Sequence, residues 1–473
     1  MRDDAQGPSP GLGDRFEFSH SVTVGVVNQG GAKRHYPSAM DPVVVIGGGL
    51  AGLAAAARLA KNGHRVELFE RSSSLGGLWA ATELRPGVLV DRAPSVLGFP
   101  APWRDLFRKS GRPLEAELTR MGYALVPAEP PVYRFADGSE LRLPTDRGEA
   151  FETLSTAYGC AVAEQWRTLI DSFSDVWQAL RPLGIEAELR HPDRLGRSTQ
   201  LTRAVRRRLR SRQSLAELAA SAPHPHLTAL VRSVGYRLGS TPEQLPAMTA
   251  VELWMSRTFG RWQIVPEPGS SGQDAGRSSV LVEALAARLA LRKVTVRAGV
   301  PVVAITVESD RATGVRTADG DHRAAAVVST IDPWSSSALL PADALRRTRR
   351  DLRALSPAQA PTISHALIDH PTDRVGELVD LSPEGVPVVR FTRPVADQTL
   401  CTVHDFGRTQ ASAAYGLVGP GFAGWTRRPP VSTEIAGLFL AGPWSAAGPG
   451  PAQQVLSGAL AAYAGHELLS QNT

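Results

Sequence analysis

The chain of 473 residues is poor in cysteine and in lysine. Its only cysteines, Cys160 and Cys401, exclude a disulfide scaffold and a four-cysteine zinc site. Lysine occurs four times, so arginine carries nearly all of the positive charge behind the net charge of +6. This usage is typical of a GC-rich genome, and a functional basic surface stays as the second interpretation. No recognition module or aromatic-studded strand accompanies the charge, and the sequence therefore predicts no nucleic-acid partner.

The sequence also lacks a hydrophobic run long enough to cross a membrane. The longest apolar stretch, Val43–Ala57, is shorter than the roughly 18 to 20 residues that span a bilayer. It begins too far from the start, and without the charged region and cleavage site, to be a signal peptide. Metal-ligand clusters, a Ser-His-Asp order, a P-loop and a second dinucleotide motif are missing too. The sequence therefore predicts a cytoplasmic protein without a bound metal or an NAD(P)H module.

The first 39 residues differ in kind from the rest of the chain. They contain frequent glycine, proline and serine residues, which break regular structure, and little hydrophobic periodicity. Met40 stands directly before the first convincing strand. Residues 1–39 are therefore expected to be a disordered or misassigned extension, and translation starting at Met1 or at Met40 stays open.

A complete βαβ unit follows this extension. Pro42–Ile46 is rich in β-branched residues, as suits a buried parallel strand. Gly47–Gly52 follows directly with the pattern G-x-G-x-x-G and leads into an Ala/Leu-rich helix that an Asn-Gly pair ends. A second strand, His64–Phe69, leads into Glu70. Because strand, glycine loop, helix and acid come in the required order, the unit predicts a dinucleotide-binding site.

Each residue type in this unit has a chemical reason. Gly47 permits the tight turn, Gly49 lets the backbone approach a pyrophosphate, and Gly52 lets the helix pack closely on the strand. The helix N-terminus offers free N–H groups to the anion, and the carboxylate of Glu70 accepts hydrogen bonds from a ribose diol. The cofactor contacts predicted from this unit are Gly47, Gly49, Leu50, Ala51, Gly52 and Glu70.

The residues after this acid carry a resemblance to a known family. Arg71-Ser-Ser-Ser-Leu-Gly76-Gly77 completes an E-x5-G-G pattern that resembles the superfamily of flavin amine oxidases and phytoene desaturases. The resemblance implies FAD rather than NAD as the cofactor. Many members carry arginine after the glycine pair, whereas this chain has Leu78, so Arg71 or Arg92 would supply charge near the phosphates. It adds Arg71, Gly76, Gly77 and Leu78 to the predicted FAD contacts.

Further segments are similar to the same superfamily, in the same order along the chain. They are Val90–Leu97, Val251–Gly260 with Ser279–Leu289, Val294–Ile305 and Ala326–Pro333. The family's local G-G-M is replaced here by a longer loop, Gly269–Arg277. In the strand over Val294–Ile305, the resemblance places the backbone of Val302 against the adenine.

The C-terminal stretch resembles the motif with which this superfamily closes its flavin site. Gly437–Gly442 has the pattern of a buried strand that ends in glycine, and Val455–Ala462 that of a helix. A helix that begins near Gln453 would direct its positive dipole end at the flavin and stabilise the reduced anion. The resemblance, which covers residues 41–468, therefore implies FAD contacts at Gly442, Gly450 and Val455.

These segments predict an α/β fold class, with a discontinuous Rossmann-like FAD-binding domain and an inserted α+β substrate domain. The FAD-binding domain is expected over residues 40–100, 264–334 and 431–470, and the substrate domain over 101–263 and 335–430. In the inserted part, Tyr133–Leu143 alternates around an Asp-Gly turn and predicts a hairpin. Gly148–Pro182 and Leu201–Ala220 are predicted to be helical.

An arginine-rich segment suggests a membrane hypothesis. Leu201, Val205 and Leu209 recur every four residues, and arginines that include those of Arg206–Arg208 fill the other faces. A basic amphipathic helix of this kind can lie on an anionic bilayer and draw a lipophilic substrate from it. The favoured interpretation is that the apolar stripe packs on its own domain. The localisation prediction is therefore cytoplasmic, with peripheral contact at the inner face of the membrane as the hypothesis to test.

The sequence does not identify the catalytic residues. The candidates are Trp444, Trp262 and His404, and His365 and Asp405 are further candidates for proton transfer. Trp444 stands between the C-terminal glycines, which favours a place near the flavin ring. Trp254, Phe259 and Trp262 are candidates for lining an apolar pocket, although such spacing is more often ordinary core.

Three functions are compatible with these residues. The resemblance to bacterial phytoene desaturases, which act in carotenoid biosynthesis, favours an FAD-dependent oxidoreductase that removes hydride from a lipophilic polyene or natural-product intermediate. The electron acceptor would be oxygen or a quinone. An amine-type oxidase or oxidative cyclase in secondary metabolism is the first alternative. A non-redox flavin isomerase or FAD-binding subunit is the second.

Overall fold

The computed structural model describes residues 41–190, 199–268 and 275–471. The predicted extension over residues 1–39 and most of the loop that replaces the family's G-G-M lie outside these residues. The strands are β1 Val43–Ile46, β2 Val66–Glu70, β3 Ala81–Arg85, β4 Val88–Asp91, β5 Leu97–Gly98, β6 Tyr123–Pro127, β7 Val132–Arg134, β8 Glu140–Arg142, β9 Arg261–Pro266, β10 Thr295–Ala298, β11 Ala304–Glu308, β12 Arg311–Thr317, β13 Gly320–Arg323, β14 Ala326–Ser329, β15 Ser356–Ile368, β16 Gly376–Leu381, β17 Pro387–Val395, β18 Gln398–Val418 and β19 Leu438–Leu440.

Helices connect and cover these strands. They are α1 Leu50–Lys61, α2 Ala101–Ser110, α3 Leu114–Arg120, α4 Arg147–Tyr158, α5 Cys160–Asp171, α6 Phe173–Leu180, α7 Arg203–Arg208, α8 Leu215–Ala219, α9 Pro225–Arg237, α10 Val251–Phe259, α11 Val280–Leu291, α12 Pro333–Ala338, α13 Arg346–Leu352, α14 Gly421–Thr426 and α15 Pro451–Ser470. Single helical turns occur at Gly77–Trp79, Arg181–Ile185 and Ala247–Ala250.

A parallel sheet forms the centre of the nucleotide-binding part. In the described residues its strand order is β10-β2-β1-β14-β19, so distant parts of the chain meet in one sheet. Val43 is in register with both Val66 on β2 and Ala326 on β14. The α/β fold class expected from the sequence is confirmed. The exact domain boundaries stay a prediction, and β9 crosses the expected boundary between residues 263 and 264.

The hydrophobicity of β1 follows from its position in this sheet. Val43 and Val45 pack into the core that contains α1, whereas Val44 and Ile46 pack into a second core with β11 and β12. All four side chains are buried. A strand that is buried on both faces has a continuous run of apolar residues, because neither face is exposed to water.

The inserted segments build a second, mixed sheet. Its described order is β15-β18-β17-β16-β7-β8, in which β7 and β8 form the hairpin expected around the Asp-Gly turn. Strand β7 pairs in parallel with β16, which joins the two inserted segments. This sheet forms one wall of the cavity described below.

Both segments predicted to be helical contain helices, and each is divided into more than one. The segment 148–182 forms three helices, because Gly159, with φ +90° and ψ 154°, separates α4 from α5 and Ser172 separates α5 from α6. The segment 201–220 is divided between α7 and α8. Arg210 has a φ of +49°, and Ser214 forms a capping box with Glu217 that begins the next helix.

The apolar stripe of the arginine-rich segment faces the protein interior. Leu201 and Leu209 are buried in the main core, and Val205 packs against it. The three arginines Arg206–Arg208 are exposed. The stripe is therefore covered by its own chain, and a bilayer would meet the exposed face with its arginines rather than the stripe.

A buried arginine ties α11 to the α2–α3 region. The side chain of Arg288 is fully buried and donates to the carbonyls of Phe107 and Arg112, to the hydroxyl of Ser110 and, at 2.7 Å, to Glu117. Such a pair is costly to break, because the remaining charge and carbonyls stay enclosed without their donor.

We expect Arg288→Met to lower the free energy of unfolding by about 3 to 5 kcal/mol, the range for breaking a buried ion pair. Urea unfolding followed by circular dichroism measures the loss. The control is Arg316→Met, because the Arg316–Asp321 pair is largely exposed and solvent screens it, so its loss is expected to change stability little. Similar losses for the two variants would contradict this role of Arg288.

Candidate functional site

The glycine loop after β1 adopts the geometry expected of a dinucleotide-binding turn. Gly47 has a φ of +101°, which disfavours any other residue. A Cβ on Gly52 would lie 1.9 Å from the carbonyl oxygen of Gly47, so the first turn of α1 packs directly on the loop. Backbone conformation and packing therefore explain these two glycines without reference to a ligand.

Gly49 has no such explanation within the protein. Its φ of −75° and ψ of −179° suit any residue, and a Cβ there would meet no described atom within 4 Å. The position is the N-cap of α1, where free backbone N–H groups attract an anion. An open glycine at this place fits a phosphate group that approaches the backbone closely, and the loop therefore fits the expected dinucleotide.

Glu70 lies beside this loop at the end of β2. Its carboxylate accepts a hydrogen bond of 2.6 Å from the N–H of Gly48 and one of 2.8 Å from the N–H of Ser72. The backbone N–H groups of Val300 and Gly299 bond to the carbonyls of Glu70 and Ser72. The carboxylate is thereby oriented at the loop, as recognition of a ribose requires.

The glycine pair of the E-x5-G-G pattern reaches the same loop. The N–H of Gly76 donates to the carbonyl of Gly48 at 2.8 Å, and Gly76 forms a bridge with Gly49. Gly76 and Gly77 have φ values of +109° and +57°. A Cβ on Gly76 would also approach Ala80 and Val282 to 2.9 Å. The pair is thus required by backbone shape as well as by contact with the glycine loop.

Other predicted cofactor contacts lie around this centre. Leu50 and Ala51 form the buried first turn of α1, and Val302 packs against the core that contains β2. Leu78 lines the cavity described below, as does Arg92. Arg71 is exposed beside Glu70. Of the two arginines considered for the phosphates, only Arg92 therefore borders the cavity.

The C-terminal motif is brought against the N-terminal one. A Cβ on Gly458 would lie 2.2 Å from the carbonyl oxygen of Ala51, so α15 and α1 touch backbone to backbone. Helix α15 begins after Gly450, with Val455 buried one turn later. Gly442 donates to the hydroxyl of Ser457 at 3.0 Å. The structure thus joins both predicted halves of the cofactor site, although they lie at opposite ends of the sequence.

A cavity of about 390 Å³ adjoins this region. Its wall combines Leu78 from the glycine-pair turn with Gly450 and Gln453 from the start of α15. Apolar side chains from several elements form much of the remaining wall: Trp79, Val96, Phe99, Val234, Leu253, Met255, Ile363, Val389, Phe391 and Phe406. A pocket of this composition suits a lipophilic molecule that is oriented by a few polar groups.

One of those polar groups is Glu252 at the start of α10. It lines the cavity, and its Oε1 accepts a hydrogen bond of 3.2 Å from the side-chain amide of Gln453. Burial raises the pKa of Glu252 to about 7. The group therefore changes protonation near neutral pH at a place next to the predicted flavin contacts.

The three catalytic candidates occupy different environments. His404 lines the cavity, and burial, with the nearby His365, lowers its pKa to about 4, so its ring is neutral at neutral pH. Trp262 does not border the cavity, and its ring N–H donates to the carbonyl of Phe259. Trp444 is buried in a hydrophobic cluster with Leu352, Leu355 and Leu417.

The packing of Trp444 also explains Gly442. A Cβ at residue 442 would lie 2.2 Å from the indole ring, so this glycine is required by the tryptophan. Trp444 is absent from the wall of the described cavity. The prediction that it acts near the reacting atoms finds no support in this position, since the ring fills core space instead.

The remaining aromatic and polar candidates have structural partners. Trp254 and Phe259 pack on Trp177, as ordinary core would. His365 hydrogen-bonds to Thr402. Asp405 accepts from the N–H of Gly407. None of these residues borders the described cavity.

Sequence reasoning missed several polar residues of the cavity wall. They are Tyr133, Arg237, Glu252, Arg261, Glu377 and Tyr415. They come from β7, α9, α10, β9, β16 and β18, and no local motif links them. Only the burial of ionisable side chains in otherwise apolar surroundings distinguishes them, and that property is visible only after folding.

The fold and site together define a class, the flavin-dependent oxidoreductases with a Rossmann-like cofactor domain. Residues 50–372 match the family described as flavin containing amine oxidoreductase. The match covers more than half of the chain. This protein therefore belongs to that family, and its cofactor is FAD.

Proteins similar in sequence include carotenoid desaturases. The chain is 30% identical over 330 residues to a hydroxyneurosporene desaturase of Cereibacter sphaeroides, which covers 66% of this chain and 61% of the relative. It is 33% identical over 116 residues to a 4,4'-diapophytoene desaturase of Staphylococcus aureus, which covers 24% and 22% of the two chains. The alignments therefore span less than two thirds of these relatives.

Solved structures with the same fold are more distant in sequence. An oxidoreductase from Methanosarcina mazei has a TM-score of 0.63 at 17% identity, covering 88% of this chain and 99% of the other. Cyclohexylamine oxidase from Brevibacterium oxydans has a TM-score of 0.61 at 16% identity, covering 91% and 99%. Putrescine oxidase bound to putrescine has a TM-score of 0.60 at 16% identity, covering 91% and 98%. At these identities the likeness establishes the fold alone.

Across the described residues, no helix combines the length and the apolar character that a bilayer crossing requires.

Gly49→Ala tests the cofactor site. The backbone and the protein neighbours of Gly49 tolerate a methyl group, so the variant is expected to fold with unchanged thermal stability in the FAD-free form. Crowding of the bound phosphate is expected to weaken FAD binding roughly 5- to 150-fold, the effect of about 1 to 3 kcal/mol of overpacking. Titration of the FAD-free protein with FAD, followed by flavin fluorescence, measures this change. Wild-type affinity in a folded Gly49→Ala protein would contradict the assigned site.

Glu252→Gln tests the buried carboxyl through the pH dependence of stability. The folded protein holds the Glu252 proton up to a pKa of about 7, whereas the unfolded chain releases it near 4.5. The wild type therefore loses stability as the pH rises from about 4.5 through 7, by an amount on the order of 3 kcal/mol.

The variant avoids this loss. We expect the melting temperature of Glu252→Gln, relative to that of the wild type, to rise between pH 5 and pH 8. Differential scanning fluorimetry measures this difference. Glu164→Gln, at an exposed position on α5 paired with Arg167, serves as the control and is expected to show no such trend. A pH-independent difference for Glu252→Gln would contradict the raised pKa.

Proposed function

We propose that this protein is an FAD-dependent desaturase that acts on a lipophilic polyene. The observation that carries the proposal is the largely apolar cavity whose wall includes Leu78 and Gly450, one residue from each FAD motif. The similarity to proteins named as carotenoid desaturases supports the same substrate class. A long apolar molecule in this cavity would lie beside the cofactor site.

The residues of the chain have separate tasks in this proposal. Bound FAD supplies a flavin ring that accepts a hydride. The loop Gly47–Gly52 binds the pyrophosphate through backbone N–H groups, and Glu70 binds the ribose. The first turn of α15 presents its positive dipole end to the flavin. The apolar wall excludes water and orients the substrate chain.

Finer assignments belong to the same proposal. The discontinuous FAD-binding domain, the inserted substrate domain and the individual FAD contacts named from the sequence are part of it. Oxygen or a quinone is the proposed electron acceptor. Contact with an anionic bilayer would use the exposed arginines Arg206–Arg208, since the leucine stripe is covered.

A specific observation favours a second candidate, an amine-type oxidase. Glu252 is a carboxyl group in the cavity wall and is bonded there to the side-chain amide of Gln453. When ionised, it would pair with a cationic amine substrate. The apolar character of the surrounding wall favours the polyene over this alternative.

Anaerobic bleaching of the flavin separates the two candidates. We expect phytoene in liposomes to reduce the flavin of the purified protein, because a hydrocarbon can enter the apolar cavity and give up hydride there. Loss of the visible absorbance of the oxidised flavin measures this reduction. Primary and secondary amines are tested in parallel.

The controls define the other outcomes. Free FAD with the same liposomes must keep its colour. Bleaching by an amine alone would move the protein to the oxidase candidate. Unchanged flavin absorbance with every polyene and amine would contradict both redox proposals and leave a non-redox role for the flavin.

A further inference from the structure

One side of the cavity is polar rather than apolar. Tyr133, Arg237, Arg261, Glu377 and His404 line it together, and we call them the arginine cluster. Glu377 is 4% exposed and forms an ion pair with Arg261. Its other oxygen lies 3.5 Å from Nη2 of Arg237. One carboxylate thus faces two guanidinium groups, which leaves an excess positive charge.

Several buried nitrogen atoms of this cluster have no hydrogen-bond partner among the described residues. They are Nε and Nη2 of Arg237, Nε of Arg261 and Nε2 of His404. Nη2 of Arg237 is close to Glu377 but makes no hydrogen bond with it. Arginine nitrogens can only donate, so the three arginine atoms lack an acceptor, whereas Nε2 of a neutral His404 can donate or accept. Protein atoms enclose these particular nitrogens, but the side chain of Arg237 is 32% exposed and lines the cavity. Because buried polar groups are nearly always satisfied, a wall with this excess of donors favours an oxygen acceptor inside the cavity.

His404 provides an independent observation. Its residue surface is 5% exposed, and its ring faces the cavity from the middle of β18. Burial lowers the pKa of His404 to about 4, with smaller contributions from His365 and Arg237, so it adds no charge at neutral pH. The excess charge of the cluster therefore comes from the arginines, and the chemistry that would satisfy it is an oxygen acceptor, best a carboxylate.

We propose that the arginine cluster binds an oxygen-bearing end group of the substrate, so that the cavity selects lipophilic chains with a terminal carboxylate, and next a carbonyl or hydroxyl, over pure hydrocarbons. This inference rests on the proposed function in taking the cavity as the substrate site. The apolar wall receives the chain, and Arg237 supplies the donors that discriminate its end group.

Binding of a fluorescent conjugated polyene fatty acid tests this inference without any turnover. The FAD-loaded wild-type protein is titrated with the acid, with the corresponding alcohol and with a polyene hydrocarbon of similar length. We expect the acid to bind most tightly. Arg237→Met is expected to weaken binding of the acid about 10- to 100-fold, the effect of one or two charge-assisted hydrogen bonds, and binding of the hydrocarbon less than about threefold.

Arg232→Met is the matched control. Arg232 lies on the same helix α9 but bonds to the carbonyl of Glu384 and to Glu243, away from the cavity. The Arg232→Met variant is expected to bind all three probes with the affinity of the wild type. Arg237→Lys keeps the charge but loses the planar fork of donors, and is expected to recover only part of the affinity for the acid.

The outcomes separate this inference from the proposed function. Equal affinity of the wild type for acid and hydrocarbon, or equal weakening of both by Arg237→Met, would overturn it. If Arg237→Met does not fold, the wild-type preference and the Arg237→Lys variant decide. Flavin bleaching by a hydrocarbon polyene combined with no preference for the acid would leave the desaturase proposal standing and remove the arginine cluster from substrate recognition.

Discussion

The close packing around α1 is the constraint on which the rest of the structure depends. On one side, Gly52 lies against the carbonyl of Gly47, and on the other, Gly458 of α15 lies against the carbonyl of Ala51. A single methyl group at either contact would overlap a backbone oxygen. Because α1 is packed from both sides, the loop Gly47–Gly52 and helix α15 are positioned relative to each other within narrow limits. The two predicted halves of the cofactor site meet as a consequence of this contact.

The same arrangement creates the cavity. With α15 packed against α1, the first turn of α15 lines the cavity together with Leu78, which follows the glycine pair, and with side chains of the mixed sheet. The inserted sheet draws its strands from both segments, since β7 pairs with β16. The cavity is therefore bounded on one side by elements whose sequence is constrained by backbone contacts, and on another by side chains of the inserted segments.

Charge is distributed unevenly over that wall. Glu252 lies at the side of Gln453 and the start of α15, whereas Arg237, Arg261 and Glu377 belong to the arginine cluster. Burial has opposite effects on the two kinds of group in the cavity, raising the pKa of Glu252 and lowering that of His404. Both shifts favour the neutral form, as enclosure in an apolar medium requires. The arginines cannot respond in this way, so they need an acceptor.

The amino-acid sequence alone determined the βαβ unit, the acid at Glu70, the glycine pair and the family to which they point. These features are local: glycine spacing and strand-helix order follow directly from backbone geometry, and short-range patterns suffice to find them. The division of the two helical segments into separate helices was not predicted, because it depends on the backbone conformation of single residues such as Gly159 and Arg210. Only the tertiary structure decided that Trp444 fills core space and that Glu252, Arg237 and His404 share one cavity. Their side chains are separated along the chain and meet through strand pairing and helix packing, so no spacing in the sequence could reveal the meeting.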